Sequence, residues 1–285
     1  MSDVEWEEVP GLRRPILVAA FEGWFDAGES ATAAVEWLQT RYDAPLVASI
    51  PAEEYFDFTQ RRPEVRLDDD GDRMILWPDN DVHAANVDGH DHDLLLLGGV
   101  EPHLRWNAFC DSVMEVVHDC HCALVVTLGA MVAGVPHTRP ATVTGSTTNR
   151  ELAGRLGLGQ PTYQGPTGIV GTLHQRLHVA DVPTVSLRVG IPHYVAGPPN
   201  PKGTMALLQH LEHVTGFRTG WADLEPAVSE WEQRVNAAVA DDDDVLEYVR
   251  QLEDEVDRRV ERDLPSGDDL AAEFERFLRD HGNDS

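Results

Sequence analysis

Up to about residue 220 the chain alternates short apolar runs with longer amphipathic runs. The apolar runs predict strands at 16–21, 45–49, 74–77, 94–97, 124–128, 141–144 and 184–189. The amphipathic runs have apolar residues three or four positions apart and predict helices at 29–42, 103–118, 150–156, 167–178 and 203–215. This alternation predicts an α/β fold with a mostly parallel or mixed central sheet between helices.

Two of the predicted strands carry no polar alternation. The runs at 94–97 and 123–128 are almost wholly apolar, which is typical of strands covered on both faces. The segment 52–72 differs, because it contains Arg-Arg-Pro at 61–63 and Asp-Asp-Asp-Gly at 68–71. We expect it to form a long loop or an irregular hairpin on the surface.

Apolar residues return at helical spacing in the last quarter of the chain. One set is Leu224, Val228, Trp231 and Val235, and a second set follows between 245 and 260, after the four aspartates at 241–244. These aspartates suit the positive amino-terminal end of the second helix. Residues 266–269 resemble a capping box before a third apolar set. We predict an α/β domain at 1–220 and an acidic helical extension at 221–285, and we favour packing of its helices on the domain over a projecting arm.

Composition limits the class of protein. The chain has 285 residues, 42% of them hydrophobic, so it can bury a large core. Apolar runs stay well short of the roughly 20 residues that span a bilayer, and the first residues are acidic, unlike a signal peptide. Cys110, Cys120 and Cys122 are odd in number and clustered. We therefore expect a cytoplasmic protein without a disulfide framework.

The formal net charge is −28 and the isoelectric point is near 4.6. Such a surface repels nucleic acid and anionic membranes, so we expect neither as a partner. The charge is uneven. Residues 222–285 hold 21 acidic residues against 7 arginines, so the net charge of this segment, −14, is half of the total of −28. A basic partner is easier to reconcile with this distribution.

Two strand-to-helix corners hold the most informative side chains. The first corner lies between an apolar run and a helical run, for which Asp26 or Ser30 is the candidate N-cap. It reads Phe21-Glu22-Gly23-Trp24-Phe25-Asp26-Ala27-Gly28-Glu29. The second corner follows the apolar run at 94–97 and contains Glu101, Arg105 and Trp106. Sites in open α/β sheets form at the carboxyl ends of strands. We predict that such residues form either a pocket or a contact surface, and the sequence does not decide between the two. The nine predicted residues are Glu22, Trp24, Asp26, Glu101, Arg105, Trp106, Thr167, His193 and Tyr194. Thr167 stands at a helix start that suits a small anion.

Other polar clusters favour ordinary structural roles. His90, Asp91, His92 and Asp93 fit a solvated strand entrance, and the cluster His118, Cys120, His121 and Cys122 lacks the spacing of a zinc site. His174 and His178 lie four apart but have no zincin glutamate between them. Ser146 lacks the glycines of a nucleophile elbow, and Thr148 or Asn149 there suits a helix cap. We expect no metal site, no cofactor and no catalytic residue among them.

The order and spacing of several motifs resemble the PAC2 family, the proteasome assembly chaperone 2 family, and in particular its actinobacterial branch. The motifs are the corner at 21–28, Gly-Gly-Val-Glu-Pro at 98–102, Leu-Gly-Ala at 128–130, Val-Pro-His-Thr-Arg-Pro at 135–140, Gly-Ser at 145–146, Tyr-Gln-Gly-Pro-Thr-Gly-Ile at 163–169 and Val-Gly-Ile-Pro-His-Tyr at 189–194. The resemblance extends over about residues 12–217, and the acidic tail is similar to the extension of actinobacterial members.

The resemblance implies a three-layer, phosphorylase/hydrolase-like α/β fold. It also implies self-association, with a trimer favoured, and a link to chaperones that hold proteasome α-subunits. Family members that dock on the proteasome can do so through a carboxyl-terminal hydrophobic-Tyr-X tail, whereas the sequence printed here ends His281-Gly282-Asn283-Asp284-Ser285. We therefore expect no docking through such a tail.

Three functional hypotheses remain open. The leading one is a non-enzymatic, homo-oligomeric PAC2-like protein that binds other proteins as an assembly chaperone, with proteasome subunits as candidate partners. The alternative is an enzyme acting on a small molecule such as a nucleoside or a peptide, with its pocket lined by Glu22, Asp26, Glu101, Arg105 or His193. A third is a structural oligomer whose acidic helices recruit a basic partner. The sequence leaves open whether the protein is an enzyme, and of the two possibilities it favours a protein without enzymatic activity.

Overall fold

The computed structural model describes residues 4–7, 11–68, 70–78 and 80–263. Its strands are β1 (Glu5–Trp6), β2 (Ile16–Glu22), β3 (Leu46–Ile50), β4 (Glu64–Leu67), β5 (Arg73–Leu76), β6 (Asn80–Ala85), β7 (Leu94–Val100), β8 (Leu124–Ala133), β9 (Val143–Ser146) and β10 (Thr184–Pro192). Its α-helices are α1 (Ser30–Arg41), α2 (Trp106–Asp119), α3 (Arg150–Leu156), α4 (Ile169–Val179), α5 (Pro201–Thr215), α6 (Glu225–Ala240) and α7 (Asp243–Asp263).

A mixed sheet of eight described strands runs in the order β1-β3-β6-β7-β2-β8-β10-β9. Its centre, β7-β2-β8-β10, is parallel, and antiparallel strands extend it on both sides. The apolar runs in β7 and β8 lie in this parallel centre, where both faces of the sheet are covered. The mixed sheet predicted from the sequence is thus confirmed.

Alternate side chains of the central strands supply two separate cores. Leu95 and Leu97 face α2 and α4, where they join a core that includes Phe109. Leu94 and Leu96 point the other way, into a core formed with α1 and α5. The period of two along each strand therefore divides the apolar residues between two helical layers. The expected three-layer α/β architecture is confirmed.

The sequence prediction missed one central strand and placed another differently. β6 reads Asn-Asp-Val-His-Ala-Ala, which is too polar to show a strand pattern, yet it pairs with β3 and β7 inside the sheet. The strand predicted at 74–77 is β5, which lies outside the central sheet and, among the described strands, pairs with β4 alone. The last part of segment 52–72 therefore belongs to a surface hairpin, which was one of the two structures expected for it.

The described C-terminal helices fold back on the domain. Val228, Trp231, Val235 and Val239 of α6 are buried. The last three form a cluster with Val249 of α7, and Tyr194 and Val195 pack against it. The carboxylate of Asp242 accepts hydrogen bonds from the backbone N–H groups of Asp244 (3.0 Å) and Val245 (3.1 Å) at the start of α7. The capping box at 266–269 and the third apolar set lie outside the described residues. The division at 220 stays a prediction.

No helix in the described segments is long and apolar enough to cross a membrane.

Candidate functional site

The predicted site residues lie along one edge of the sheet. β2, β7, β8 and β10 are parallel, so their carboxyl ends meet at the same edge. Seven of the nine residues form a first group, whose members end or follow β2, follow β7 or precede α4: Glu22, Trp24, Asp26, Glu101, Arg105, Trp106 and Thr167. His193 and Tyr194 form a second group, which follows β10 and contacts a different set of residues.

Glu101 joins both corners to the beginning of α4. Its backbone N–H donates to the carbonyl oxygen of Glu22 at 2.8 Å. Its carboxylate accepts hydrogen bonds from the backbone N–H groups of Ile169 (2.8 Å) and Trp24 (3.4 Å). A β-carbon on Gly168 would lie 2.5 Å from the same carboxylate, so glycine leaves the necessary space. Glu101 thus neutralises the positive end of α4 and is occupied by that task.

The charges of Glu22 and Arg105 are paired within the chain. Both carboxylate oxygens of Glu22 accept hydrogen bonds from the guanidinium of Arg61, at 2.6 and 2.7 Å. Arg105 forms an ion pair with Glu54 and lies 5.9 Å from the centre of the Tyr55 ring. Glu22 and Arg105 therefore each have an oppositely charged partner within the chain.

Asp26 is buried and holds the start of α1. Its carboxylate accepts hydrogen bonds from the backbone N–H of Ala31 at 2.7 Å and from the hydroxyl of Thr32. Burial raises the pKa of Asp26, and these hydrogen bonds oppose that effect. The N-cap position of α1 is Glu29, so neither Asp26 nor Ser30 occupies it, and Asp26 caps the helix from three positions earlier. Trp106 is likewise fixed, since its indole N–H donates to the carbonyl of Pro102 at 2.6 Å.

Trp24 is different, because its side chain is 65% exposed. It lies beside Gly168 and next to the hydrogen-bonded carboxylate of Glu101. Leu104 is 51% exposed on the neighbouring corner, and Thr167 is exposed at the start of α4. The first group therefore presents an exposed indole above polar groups that already have partners.

The second group connects the end of β10 to the C-terminal helices. The hydroxyl of Tyr194 lies 2.8 Å from both the backbone nitrogen and Nδ1 of His137. Nε2 of His137 is 3.0 Å from the side-chain oxygen of Asn236 in α6, and the ring of His193 meets that of Tyr248 in α7 at 5.3 Å. Burial lowers the pKa of His137.

Sequence reasoning missed two members of this edge. His137 stands in the motif at 135–140, which was available as a signal, whereas Arg61 stands in a segment interpreted only as surface. Neither residue reveals its partner locally, because 39 positions separate Arg61 from Glu22 and 99 separate His137 from Asn236.

The clusters assigned to structural roles have partners of their own. Nε2 of His174 is 2.7 Å from the hydroxyl of Thr127, and the buried Asp93 carboxylate pairs with Arg13 at 2.6 Å. Burial raises the pKa of the Cys110 thiol to about 12 and that of Cys120 to about 11. Within the described segments no three His, Cys, Asp or Glu residues lie together as a metal site would require.

A cavity beside the second group is walled by Val135, His137, Lys202 and Trp231 among others, and its volume is about 20 Å³. It has room for about one water molecule, whereas sites for drug-sized ligands measure roughly 300–1,000 Å³. A wide, open groove of about 910 Å³ lies elsewhere, lined by Arg41, Tyr42, residues 86–90 and residues 216–218. None of the nine predicted site residues lines either cavity.

Comparison with known proteins gives a consistent set of similarities. The profile of the PAC2 family matches residues 20–239. A PAC2 family protein from Streptomyces avermitilis is 42% identical, with a TM-score of 0.78, over 82% of this chain and 99% of that one. A proteasome-assembly chaperone homologue from Mycobacterium tuberculosis is 39% identical, with a TM-score of 0.75, over the same 82% and 99%.

A more distant structure shares the fold alone. The Pyrococcus furiosus archaeal proteasome activator PbaB is 14% identical, with a TM-score of 0.67, over 82% of this chain and 97% of that one. Among curated proteins, no sequence matches this chain.

Proposed function

Because the chain belongs to the PAC2 family, we propose that it is a non-enzymatic, protein-binding chaperone that acts on proteasome subunits. The proposal includes self-association, with a trimer favoured, and a cytoplasmic location. It is supported by the similarity to a protein described as a proteasome-assembly chaperone homologue, which extends over 82% of this chain. The strongly acidic surface also favours a protein partner over nucleic acid.

The exposed indole of Trp24 carries the proposal. Binding energy in protein interfaces concentrates on a few tryptophan, tyrosine and arginine side chains, while charged groups are depleted at the interface centre. Trp24 is 65% exposed, and the charged groups on the same two corners, Glu101 and the Glu22–Arg61 pair, have hydrogen-bond partners inside the chain. A partner that covers Trp24 therefore buries a large apolar group without stripping an unpaired charge of water.

The same pairing weighs against the alternative of an enzyme. A general acid, base or nucleophile must be within reach of a substrate. Asp26 caps α1, Glu101 caps α4 and Arg105 pairs with Glu54, while His193 stands with Tyr248 in the other group. These contacts hold helices and loops together and do not surround a common cavity.

The test is direct binding of the full-length protein to purified proteasome α-subunits from its own source. We expect Trp24→Ala to weaken binding at least about tenfold, which is the loss expected of an interface hot spot. Val179→Ala is the matched control, because Val179 is 73% exposed at the far end of α4. Failure of the wild-type protein to bind any α-subunit, or equal binding by the Trp24 and Val179 variants, would overturn the proposal.

A further inference from the structure

The hairpin of β4 and β5 stands apart from the central sheet. Its four pairs are Glu64 with Leu76, Val65 with Ile75, Arg66 with Met74 and Leu67 with Arg73. Its base is anchored, since Arg61 pairs with Glu22 and the rings of Phe58 and Trp77 lie 5.0 Å apart. An isolated two-stranded hairpin is marginally stable at best in water. A further contact on this ribbon would therefore stabilise it.

One face of the hairpin is apolar and exposed. Directly opposite residues and residues two apart share a face, which places Val65, Leu67 and Ile75 together. They are 53%, 68% and 54% exposed, and Trp77, just beyond the end of β5, is 49% exposed. Contiguous apolar patches of this kind mark sites of protein association.

Charge indicates what the occupant is. Residues 61–77 contain four arginines and five acidic residues, so the hairpin is nearly neutral in a chain of net charge −28. Two copies repel one another over most of their surfaces, and the repulsion is least where they meet at this segment. Arg73 lies on the apolar face, is exposed and has no ion pair among the described residues. An acidic second copy can supply the carboxylate that it lacks.

We propose that the apolar face of the β4–β5 hairpin is the surface on which a second copy of this chain docks. This inference rests on the self-association included in the proposed function and assigns it to one surface. The aliphatic side chains and Trp77 supply the buried apolar area, and Arg73 supplies charge complementarity to an acidic neighbour.

The experiment measures molecular mass by sedimentation over a range of protein concentrations. The double variant Val65→Thr, Ile75→Thr keeps β-branched side chains in the strands and removes apolar surface. We expect its self-association to weaken at least about tenfold. Leu46→Thr is the matched control, because Leu46 is a 40% exposed strand residue of the central sheet. Wild-type protein that stays monomeric, or a double variant that associates as the wild type does, would overturn the inference.

A charge variant gives an independent result. Arg73→Glu replaces a positive charge on the docking face with a negative one, so we expect it to weaken association, most strongly at low ionic strength. Association of the wild type should strengthen as salt screens the repulsion between copies. Equal association of Arg73→Glu and the wild type at low salt would contradict the assigned charge complementarity.

Binding of α-subunits separates the two proposals. If the hairpin variants associate normally while α-subunits still bind, the docking surface is wrong and the proposed function stands. If the variants dissociate while the wild type fails to bind α-subunits, the docking surface stands and the proposed function fails. Circular dichroism of each variant checks that the fold is intact.

Discussion

At the scale of single residues, side chains selected for their chemistry turn out to hold the architecture. Glu101 caps α4, Asp26 caps α1 and Tyr194 holds His137 against the sheet edge. Buried polar groups are costly unless they are hydrogen-bonded, so each of these needs a partner in the folded chain. Trp24 differs from these three residues, because its large apolar side chain is 65% exposed.

His174 makes a prediction about acid stability. Burial, with the positive charge of Arg188 nearby, lowers the pKa of His174 from 6.5 to about 4. The unfolded chain therefore binds this proton more readily than the folded one. The stability that neutral His174 contributes is complete above about pH 6.5 and is lost as the pH falls toward 4. The loss is at most about 3 kcal/mol.

Urea unfolding at a series of pH values checks this. His174→Gln removes the titrating group, so its free energy of unfolding should fall less steeply than that of the wild type between about pH 6.5 and 4. His213→Gln makes the same replacement at an exposed position of α5 and is the control for the substitution itself. A His174 variant with an unchanged slope would show that this histidine is not held neutral.

At the scale of elements, the attachment of α6 to the domain depends on a small polar cluster. Lys202, the single lysine of the chain, is buried at the start of α5. Its ammonium donates to the carbonyl of His137 and to the carboxylate of Glu232 in α6. Arg139 extends the cluster to α7, where it pairs with Asp257 at 2.7 Å. The helices are thus joined to the edge of the sheet by charge as well as by apolar packing.

Removal of one partner of this ion pair should be costly. Glu232→Ala leaves the buried ammonium of Lys202 without its counter-charge, and we expect a loss of roughly 2 kcal/mol in the free energy of unfolding, reduced from the fully buried case because Glu232 is 36% exposed. The double variant Lys202→Met, Glu232→Ala should recover much of that loss. Chemical denaturation of all four proteins in the cycle measures the coupling.

An exposed pair offers the comparison. Glu247 and Arg250 lie 3.8 Å apart on α7 and are both 64% exposed. Glu247→Ala should change the free energy of unfolding by less than about 0.5 kcal/mol. If Glu232→Ala costs no more than this control, the Lys202–Glu232 pair does not hold α6 in place.

At the scale of the whole molecule, a net charge of −28 opposes the compact state. The repulsion is long-ranged and is screened when the Debye length shortens from about 30 Å at about 0.01 M salt to about 3 Å at about 1 M. We expect the melting temperature to rise with sodium chloride over this range, at a constant protein concentration. Sucrose at equal osmolality does not screen charge and is the control for general solute effects. A melting temperature that falls with salt would show that attractive ion pairs outweigh the net repulsion.

Much of the fold could be predicted from the sequence because the signals are local. The apolar runs of β2, β7 and β8 and the helical spacing in α1, α6 and α7 are set within a few residues of one another. Caps follow the same rule, since Asn149 caps α3 through hydrogen bonds to the N–H groups of residues two and three positions on. Net charge follows from composition alone, and the two-faced burial of the central strands follows from their uninterrupted apolar runs.

Only the tertiary structure decided which distant segments meet. β6 is a polar sequence that becomes a central strand because β3 and β7 present backbone groups on either side. The sequence placed Glu22, Glu101 and His193 in one group, and the fold gave them separate partners: Arg61, Ile169 and Tyr248. Local periodicity determines which face of an element is buried, but contacts across tens of residues depend on where the chain returns to the sheet. Composition and spacing do not encode that return in any local pattern.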